Sequence, residues 1–564
     1  MAALFAVVTV ACGRSDRADP RRTGPAVAAE GGETGTFGGG GSEAGGEFGT
    51  AAAGAGGSPF GAPGVGGSAV GAQGGGVFAA GSGAGTSDGG RAGEAGSSSL
   101  GTAGAARGGS PSGAGADGSA GAGAIVCPGV VPNDDPPQLD PCATPRTDCD
   151  RNARCFNVEG VEQCVCDPEF FGNGYTCDGP RVATAVASGL VTTCAVIGSG
   201  KVRCWGEYGS GALGSGELFH DIGDDEPASE GPIAPLDDPV KDVVAGERST
   251  CALFDDGDVR CWGYGDEGQL GTGSLASAYG PATARNVVLG GKAVAVSGHG
   301  RHTCAILDTG GLRCWGSNAT GQLGYGGLAP SLEGETPETK GDVELPARVL
   351  QVSASTYGTC AVVEEGSVYC WGGFSFTRPD AAQAGDAAAA GGAVDVGAKV
   401  KQVATSDDHV CVVTEADAVR CWGNNDYGQL GYALQSEPIG DDESVGSAGD
   451  VAVGGAVTQV VVGSKHTCAL LTSGSVRCWG RAGGSAYGRS NSIGDDEAPA
   501  AAGDALLGGT VAHLSAVSDH TCALMTDGAV RCFGANFFGE LGYGHPEDVG
   551  TATPPACAGE VPLF

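Results

Sequence analysis

Three acidic loops of identical sequence carry carboxylates that could bind a metal ion. Each loop reads Ile-Gly-Asp-Asp-Glu, at 222–226, 439–443 and 493–497. Calcium prefers clustered carboxylate oxygens, so the loops are candidate calcium sites, although ordinary exposed turns explain them equally well. No other cofactor is expected. The nine candidate ligands are Asp224, Asp225, Glu226, Asp441, Asp442, Glu443, Asp495, Asp496 and Glu497.

Histidine and arginine also recur at fixed positions beside repeated cysteines. The histidines belong to different repeats, so they would converge on one metal ion only near a narrow axis. For the arginines, ion pairing and stacking between repeats is favoured over an anion-binding ring. The two sets are His302, His409, His466 and His520, and Arg203, Arg260, Arg313, Arg420, Arg477 and Arg531.

The cysteines form the strongest pattern in the chain. Seven times a cysteine is followed ten positions later by a second cysteine, an aromatic residue and glycine. The first cysteines are 51–57 residues apart, a spacing typical of repeated β-sheet units. The pairs are Cys194 and Cys204, Cys251 and Cys261, Cys304 and Cys314, Cys360 and Cys370, Cys411 and Cys421, Cys468 and Cys478, and Cys522 and Cys532.

Each pair is predicted to lie in a β-hairpin with a three-residue loop. The third loop residue is glycine in six units and Asp417 in the other, as expected where a left-handed backbone is needed. The two cysteines then face each other across the hairpin, where a disulfide can join them. The alternative is seven pairs of buried, reduced cysteines. Such frequent use of cysteine favours disulfides and an oxidising compartment.

Side-chain alternation indicates what covers these hairpins. In 251–262 both faces carry apolar side chains, so the sheet must be covered on both sides. Seven blades packed radially into a closed ring meet that requirement. The chain's six tryptophans all follow the second cysteine of a unit, and Phe533 takes that place in the seventh. These aromatic residues are therefore predicted to be core.

The first 125 residues have a different composition. Residues 1–12 are a short apolar run ending in Ala11-Cys12, which resembles the end of a bacterial lipoprotein signal with Cys12 as the lipidated residue. No Lys or Arg precedes the run, and Thr9 stands where an aliphatic residue is usual, so a soluble N-terminus stays an alternative. Residues 13–125 are rich in Gly, Ala and Ser and are predicted to be a disordered tether.

Within residues 126–179, the six cysteines from Cys142 to Cys177 resemble an epidermal growth factor-like module. The resemblance rests on their spacing, with a Cys-x-Cys before the last gap, and implies the pairs Cys142–Cys155, Cys149–Cys164 and Cys166–Cys177. Sequence alone permits fifteen pairings. Cys127 and Cys557 are left over, so they could pair with each other, or either could stay free.

Residues 180–564 resemble the regulator of chromosome condensation repeat. The units share His-Thr-Cys-Ala, Cys-Trp-Gly and a Gly-Gln-Leu-Gly turn, which occurs at 268–271, 321–324 and 428–431 with variants at 211–214 and 539–542. The fourth unit lacks this turn. The resemblance implies an all-β, seven-bladed propeller of four-stranded blades, preceded by the small disulfide-rich module and the tether.

Charge and motifs narrow the function. The net charge of −36 disfavours nucleic acid and anionic membranes as partners, so membrane contact is expected only through the lipid. Common catalytic motifs are absent. The chain is therefore predicted to be a monomeric, non-enzymatic protein that binds a protein or glycan at the cell surface. It would be anchored to the outer membrane, facing the periplasm or the exterior, or secreted.

Two other functions stay open, a secreted protein inhibitor of an extracellular enzyme and a carbohydrate-active enzyme. A deep central pocket with paired carboxylates of raised pKa would favour the enzyme, whereas an aromatic-rich loop face would favour a protein partner. Insertions between repeats are expected to map to one face, which would be the binding face. They lie at 215–239, 272–290, 326–346, 373–397, 432–454 and 489–508.

Overall fold

The computed structural model describes most of the chain beyond residue 148, all within the unit Gly115–Phe564. No helix in this part is long and apolar enough to cross a bilayer. Cys12, the tether at 13–125, Cys127 and Cys142 lie outside the described residues, and the predictions made for them stay predictions. The described residues are 140–141, 149–158, 161–167, 170–172, 175, 177–214, 216, 220–331, 334–376, 386–434, 436–441, 443–481, 486–489, 491–550 and 552–564.

The cysteine-rich module before the repeats contains five short strands. Three form one antiparallel sheet, β1 (Asp140–Pro141), β2 (Ala153–Val158) and β3 (Val161–Cys166). Two more pair separately, β4 (Phe170–Gly172) and β5 (Cys177–Pro180). Disulfides join Cys149 to Cys164 and Cys166 to Cys177, two of the three pairs that the growth factor resemblance implies. Cys155 and Cys557 are disulfide-bonded as well.

The repeats fold into seven antiparallel three-stranded sheets, one for each unit. In every sheet the strands lie in chain order, so each blade has an inner, a middle and an outer strand. Blades 1 to 3 are β6 (Ala183–Ser188), β7 (Thr192–Ile197) and β8 (Lys201–Gly206); β9 (Val240–Ala245), β10 (Ser249–Phe254) and β11 (Val259–Gly263); β12 (Ala293–His299), β13 (His302–Leu307) and β14 (Leu312–Gly316). Blades 4 and 5 are β15 (Val349–Ala354), β16 (Gly358–Val363) and β17 (Val368–Gly372); β18 (Val400–Thr405), β19 (His409–Thr414) and β20 (Val419–Gly423). Blades 6 and 7 are β21 (Val457–Val462), β22 (His466–Leu471) and β23 (Val476–Gly480); β24 (Val511–Val517), β25 (His520–Met525) and β26 (Val530–Gly534).

Helical structure among the described residues is limited to short turns outside the strands. Three are single α-helical turns, α1 (Pro337–Lys340), α2 (Pro499–Ala502) and α3 (Pro555–Ala558). Three are 3₁₀ turns, at Ala228–Glu230, Glu364–Gly366 and Val445–Ala448. The fold is therefore nearly all β, as the repeat pattern predicts.

The seven inner strands surround a common axis, and the last blade closes on the first. Ser188 of blade 1 donates its hydroxyl to the carbonyl of Ser515 in blade 7, and its N–H binds the Ser515 Oγ at 2.8 Å. Near the other end of the same strands, the N–H of Ala183 binds the carbonyl of Gly528. A closed ring leaves no long sheet edge exposed between blades, so the predicted seven-bladed propeller is confirmed.

Each middle and outer strand form the hairpin expected from the sequence. In blade 2 Cys251 lies opposite Cys261, and all seven hairpin pairs are joined by disulfides, with Cα atoms 4.0–4.1 Å apart. The third loop residue has positive φ in every blade, from 62° at Asp417 to 93° at Gly200. A Cβ on Gly257 would also lie 3.0 Å from the carbonyl oxygen of Ala293 in the next blade. Glycine thus meets two requirements there, a left-handed backbone and close packing between blades.

The fourth strand of each blade, which the family resemblance implies, is not formed among the described residues. Outside the outer strand the connection pairs at isolated points only. In blade 5 Gly423 and Ile439 exchange two bonds, and farther along the chain the Val451 N–H binds the Val419 carbonyl. Two residues later the Val453 N–H binds the Val451 carbonyl, and the same bond recurs in four other blades. In these five blades the three-residue turn bends the chain away from the sheet, which explains why pairing does not continue.

Candidate functional site

The ring has two faces with different loops. The loops between inner and middle strands lie at one end, together with the start of each connection that leaves the outer strand. In blade 2, for example, the Tyr264 N–H binds the carbonyl of Arg248. We call this end the loop face and the end with the three-residue hairpin loops the hairpin face. The inner-to-middle loops are 189–191, 246–248, 300–301, 355–357, 406–408, 463–465 and 518–519.

Exposed aromatic side chains are concentrated on the loop face. Phe537 is 77% exposed and its neighbour Phe538 is 40% exposed, in the turn after the outer strand of blade 7. Tyr357, in an inner-to-middle loop, is 50% exposed. Tyr208 and Tyr279 add two further rings on the side of blades 1 and 2. Large exposed rings of this kind are typical anchors for protein partners.

Acidic residues on both faces include paired and unpaired carboxylates. On the hairpin face, Lys292 contacts Asp256 and Asp258 of the neighbouring hairpin, at 3.2 and 2.5 Å. Lys401 likewise contacts Asp417. Other exposed carboxylates, such as Asp308 on the hairpin face and Asp426 on the loop face, have no ion-pair partner among the described residues. Uncompensated negative charge therefore lies on both faces, whereas the exposed rings lie on the loop face.

The Ile-Gly-Asp-Asp-Glu loops lie on the loop face, because each follows the end of an outer strand. Ile222 pairs with Gly206 at the end of β8. Ligand oxygens of Asp224, Asp225 and Glu226 lie within 4.8 Å of one another, as do those of 495–497. Burial and the carboxyls of Asp225 and Asp224 raise the pKa of Glu226 to about 8. His220 lies 3.0 Å from the same Glu226 carboxylate.

The copy of this loop at 439–443 has different surroundings. There the Glu443 carboxylate accepts a hydrogen bond from the Gly440 N–H, and Asp442 lies outside the described residues. The copies at 222–226 and 493–497 pack against the glycine turn of the adjacent blade, since a Cβ on Gly539 or Gly428 would touch them. The copy at 439–443 has no such turn beside it, because the fourth unit lacks that sequence. Calcium binding at the acidic loops stays a prediction, which a calcium titration would test.

The four repeated histidines are buried between blades and do not converge. His409 Nε2 lies 2.8 Å from the Thr467 hydroxyl of the next blade, and that hydroxyl donates to the Gln429 carbonyl. Because the hydroxyl has one proton, His409 must donate from Nε2. Burial lowers the pKa of His409 to about 3. His302, His466 and His520 make the same contact with a threonine of the next blade, so these histidines join blades rather than bind a metal.

The repeated arginines lie near the outer rim and also join blades. Arg420 Nε contacts Asp450 of its own blade at 2.7 Å, and its Nη1 donates to the Val396 carbonyl of the preceding blade at 2.7 Å. Arg313 and Arg477 make equivalent pairs. An anion-binding ring would need these guanidinium groups, which the bonds already occupy. The ion-pairing prediction therefore fits these three arginines.

A channel of about 280 Å³ runs along the axis between the seven inner strands. Much of its polar lining is used to join blades, as where the Gln402 amide binds both backbone groups of Val460 at 2.8 Å. Asp242 is the one carboxylate among the described residues that line it, and burial raises its pKa. Burial lowers the pKa of His513, which also faces the channel. The described lining therefore lacks the paired carboxylates that a glycoside-cleaving enzyme would use.

The sequence predicted the acidic loops as candidate sites, but the exposed aromatic residues of the loop face were not predicted. The consecutive Phe537 and Phe538 in a glycine-bounded turn were a usable signal, because such turns are exposed. Each insertion between repeats contributes to two parts of the structure, which the sequence alone did not distinguish. Their first parts lie on the loop face, whereas their last parts, such as Val451, pack against the outer strand of their own blade.

Comparison with known proteins agrees with this architecture. The RCC1-like domain profile matches residues 230–559, and an EGF domain profile matches 142–177. The solved structure of human WBSCR16 superimposes with a TM-score of 0.51 at 21% identity, covering 63% of this chain and 92% of that one.

Curated relatives share part of their length with this chain. The human E3 ubiquitin-protein ligase HERC2 is 29% identical over 360 residues, which is 62% of this chain and 7% of HERC2. The ultraviolet-B receptor UVR8 of Arabidopsis thaliana is 26% identical over 304 residues, 53% of this chain and 66% of UVR8.

Proposed function

Because the chain belongs to the RCC1-like domain family, we propose that it is a non-enzymatic binding protein whose propeller receives a protein partner on the loop face. The observation that carries this proposal is the set of exposed rings there, led by Phe537 and Tyr357. Aromatic anchors at the centre of an interface contribute most of the affinity in protein complexes.

The disulfides and the N-terminal sequence support a location outside the cytoplasm. Seven hairpin disulfides need an oxidising compartment to form and persist. The Ala11-Cys12 junction fits a lipidated N-terminus, and residues 13–125 fit a flexible tether. We therefore place the propeller at a cell surface, in the periplasm or in the secreted fraction, held by its lipid where it is anchored.

The inhibitor function is a special case of the same proposal, in which the partner is an extracellular enzyme. It needs the same face and is distinguished by the identity of the partner. The carbohydrate-active alternative has less support, because the channel lining includes Asp242 and no second described carboxylate.

Site-specific photo-crosslinking in the native cell tests the proposal. A benzophenone amino acid replaces Tyr357 or Phe537 on the loop face, and Asp308 or Glu415 on the hairpin face, in the full chain. All four side chains are exposed, so folding is not at issue. Discrete adducts from the loop-face positions alone are expected. Adducts from the hairpin-face positions with none from the loop face would overturn the proposal.

A further inference from the structure

The loop face combines two features that together specify a kind of partner. Its exposed rings alternate with carboxylates that lack a cation. Asp225, Asp426 and Asp496 are all exposed, on connections that leave blades 1, 5 and 6. They lie at the same end of the ring as the exposed side chains of Tyr357 and Phe537.

The few cations of the loop face show how its rings and acids bind positive charge. Lys465 lies 4.9 Å from the centre of the Tyr427 ring, and Arg248 lies 5.5 Å from that of Tyr264. Arg301 bridges two carboxylates, with Glu247 at 3.0 Å and Glu267 at 2.7 Å. Each geometry is a favourable one for a cationic side chain.

Other parts of the same face have the rings and acids without the cation. Phe537 and Phe538 are exposed and have no cation over them among the described residues. Tyr357 sits beside Asp407, whose carboxylate accepts the Tyr357 N–H at 3.1 Å. A lysine or arginine from outside would therefore meet an aromatic face and a carboxylate together.

The hairpin face differs in its aromatic residues. Links between blades there pair some hairpin acids with cations, as Lys292 does with Asp256 and Asp258, whereas Asp308 and Glu415 have no ion-pair partner among the described residues. None of the exposed aromatic side chains of the described repeats lies on this face. Charge complementarity between partners directs association and selects among them. The combination of exposed rings with unpaired carboxylates therefore favours a cationic partner at the loop face.

We infer that the partner presents a basic segment, rich in lysine and arginine, whose cations bind the carboxylates and exposed rings of the loop face. This rests on the proposed function and adds the chemistry of the partner. Association would be fast at low ionic strength and would weaken as salt screens the charges.

Charge reversal on one face at a time tests the inference. One variant of the full chain carries Asp225→Lys, Asp426→Lys and Asp496→Lys on the loop face. The matched control carries Asp255→Lys, Asp308→Lys and Glu415→Lys on the hairpin face, with the same change in net charge and equally exposed positions. The probe is a peptide of about 20 residues in which lysine alternates with glycine, and a glutamate–glycine peptide serves as its counterpart.

The loop-face variant is expected to bind the lysine peptide about tenfold more weakly, or worse, in low salt. The hairpin-face variant should stay within about twofold of the unmodified chain. Phe537→Ala and Tyr357→Ala, which leave the charge unchanged, should each weaken binding about threefold.

Equal losses in the two charge variants would overturn the inference, because they would show a non-specific response to net charge. So would no binding of the lysine peptide, or equal binding of the glutamate peptide. If loop-face crosslinks then identify a partner with a neutral or acidic contact surface, the proposed function stands and the inference about chemistry falls.

Discussion

The indole N–H of Trp479 in blade 6 donates to the carbonyl oxygen of Gln429 in blade 5, at 2.9 Å. The Thr467 hydroxyl donates to the same oxygen at 2.9 Å. Three other tryptophans make the equivalent bond to the turn of the preceding blade, and Trp205 closes the ring by donating to the Glu540 carbonyl of blade 7. Trp422 in blade 5 has no partner among the described residues.

The exception in blade 5 has a cause in the sequence. The fourth unit lacks the glycine turn that would supply the carbonyl, and it has Gly358 where four other units have histidine. The residue that would be threonine in blade 5 is Val410, which needs neither partner. Two departures from the repeat, the unpaired Trp422 indole and Val410, therefore follow from one missing turn.

Exchanging threonine and valine at these two positions tests this account. Thr467→Val removes a buried hydroxyl that joins two blades, and should lower the free energy of unfolding by about 1–2 kcal/mol. Val410→Thr should also be destabilising, by about 1–3 kcal/mol, because its buried hydroxyl would find no partner. Denaturant unfolding measures both, and a Val410→Thr variant more stable than the unmodified chain would contradict the account.

The buried histidines predict a loss of stability in mild acid. Burial lowers the pKa of His302, His409 and His520 to about 3, and that of His466 to about 4. In the unfolded chain each has a pKa of about 6.5, so the unfolded state gains protons first as pH falls. Stability is therefore complete above about pH 6.5 and declines progressively towards about pH 4, by up to about 1.4 kcal/mol per histidine per pH unit.

A single-site variant isolates this effect from the carboxylates. His409→Gln can still donate to the Thr467 hydroxyl but does not titrate. Its free energy of unfolding should fall less steeply than that of the unmodified chain between pH 6.5 and 5, where ordinary carboxylates stay ionised. Identical slopes in the two proteins would show that His409 is not held neutral.

The hairpin disulfides predict strong destabilisation on reduction. Each bridge closes a short loop, for which the chain-entropy model gives roughly 2.8 kcal/mol. The measured value should be lower, because a tight hairpin is already partly ordered when unfolded. Removing the bridge of blade 6 with Cys468→Ala and Cys478→Ala should cost about 1–3 kcal/mol and leave the other six bridges in non-reducing peptide maps. Bridges between different blades in those maps would disprove the hairpin pairing.

The proposed lipid anchor predicts a change in partitioning when Cys12 is replaced. Cys12→Ser removes the thiol that would carry the lipid, so the full chain should move from the membrane fraction to the soluble fraction. Cell fractionation with an antibody to the propeller measures this. Unchanged membrane association would mean that the Ala11-Cys12-Gly13 junction is not a lipidation site.

Much of the fold could be predicted because one repeat carries its own geometry. The ten-residue cysteine offset and the left-handed loop residue determined the register, and Cys251 lies opposite Cys261 as expected. The missing fourth strand could not be predicted, since it depends on a backbone turn at residues such as Val451 and Val453 that no side chain demands.

Hydrogen exchange of the full chain, with and without the partner recovered by crosslinking, tests the central claim most directly. Bound partner should slow exchange in the loop-face segments 355–358 and 535–540 and leave the hairpin loops 255–258 and 415–417 unchanged. Protection of those hairpin loops, with the loop-face segments exchanging as fast as in the free chain, would contradict a binding site on the loop face.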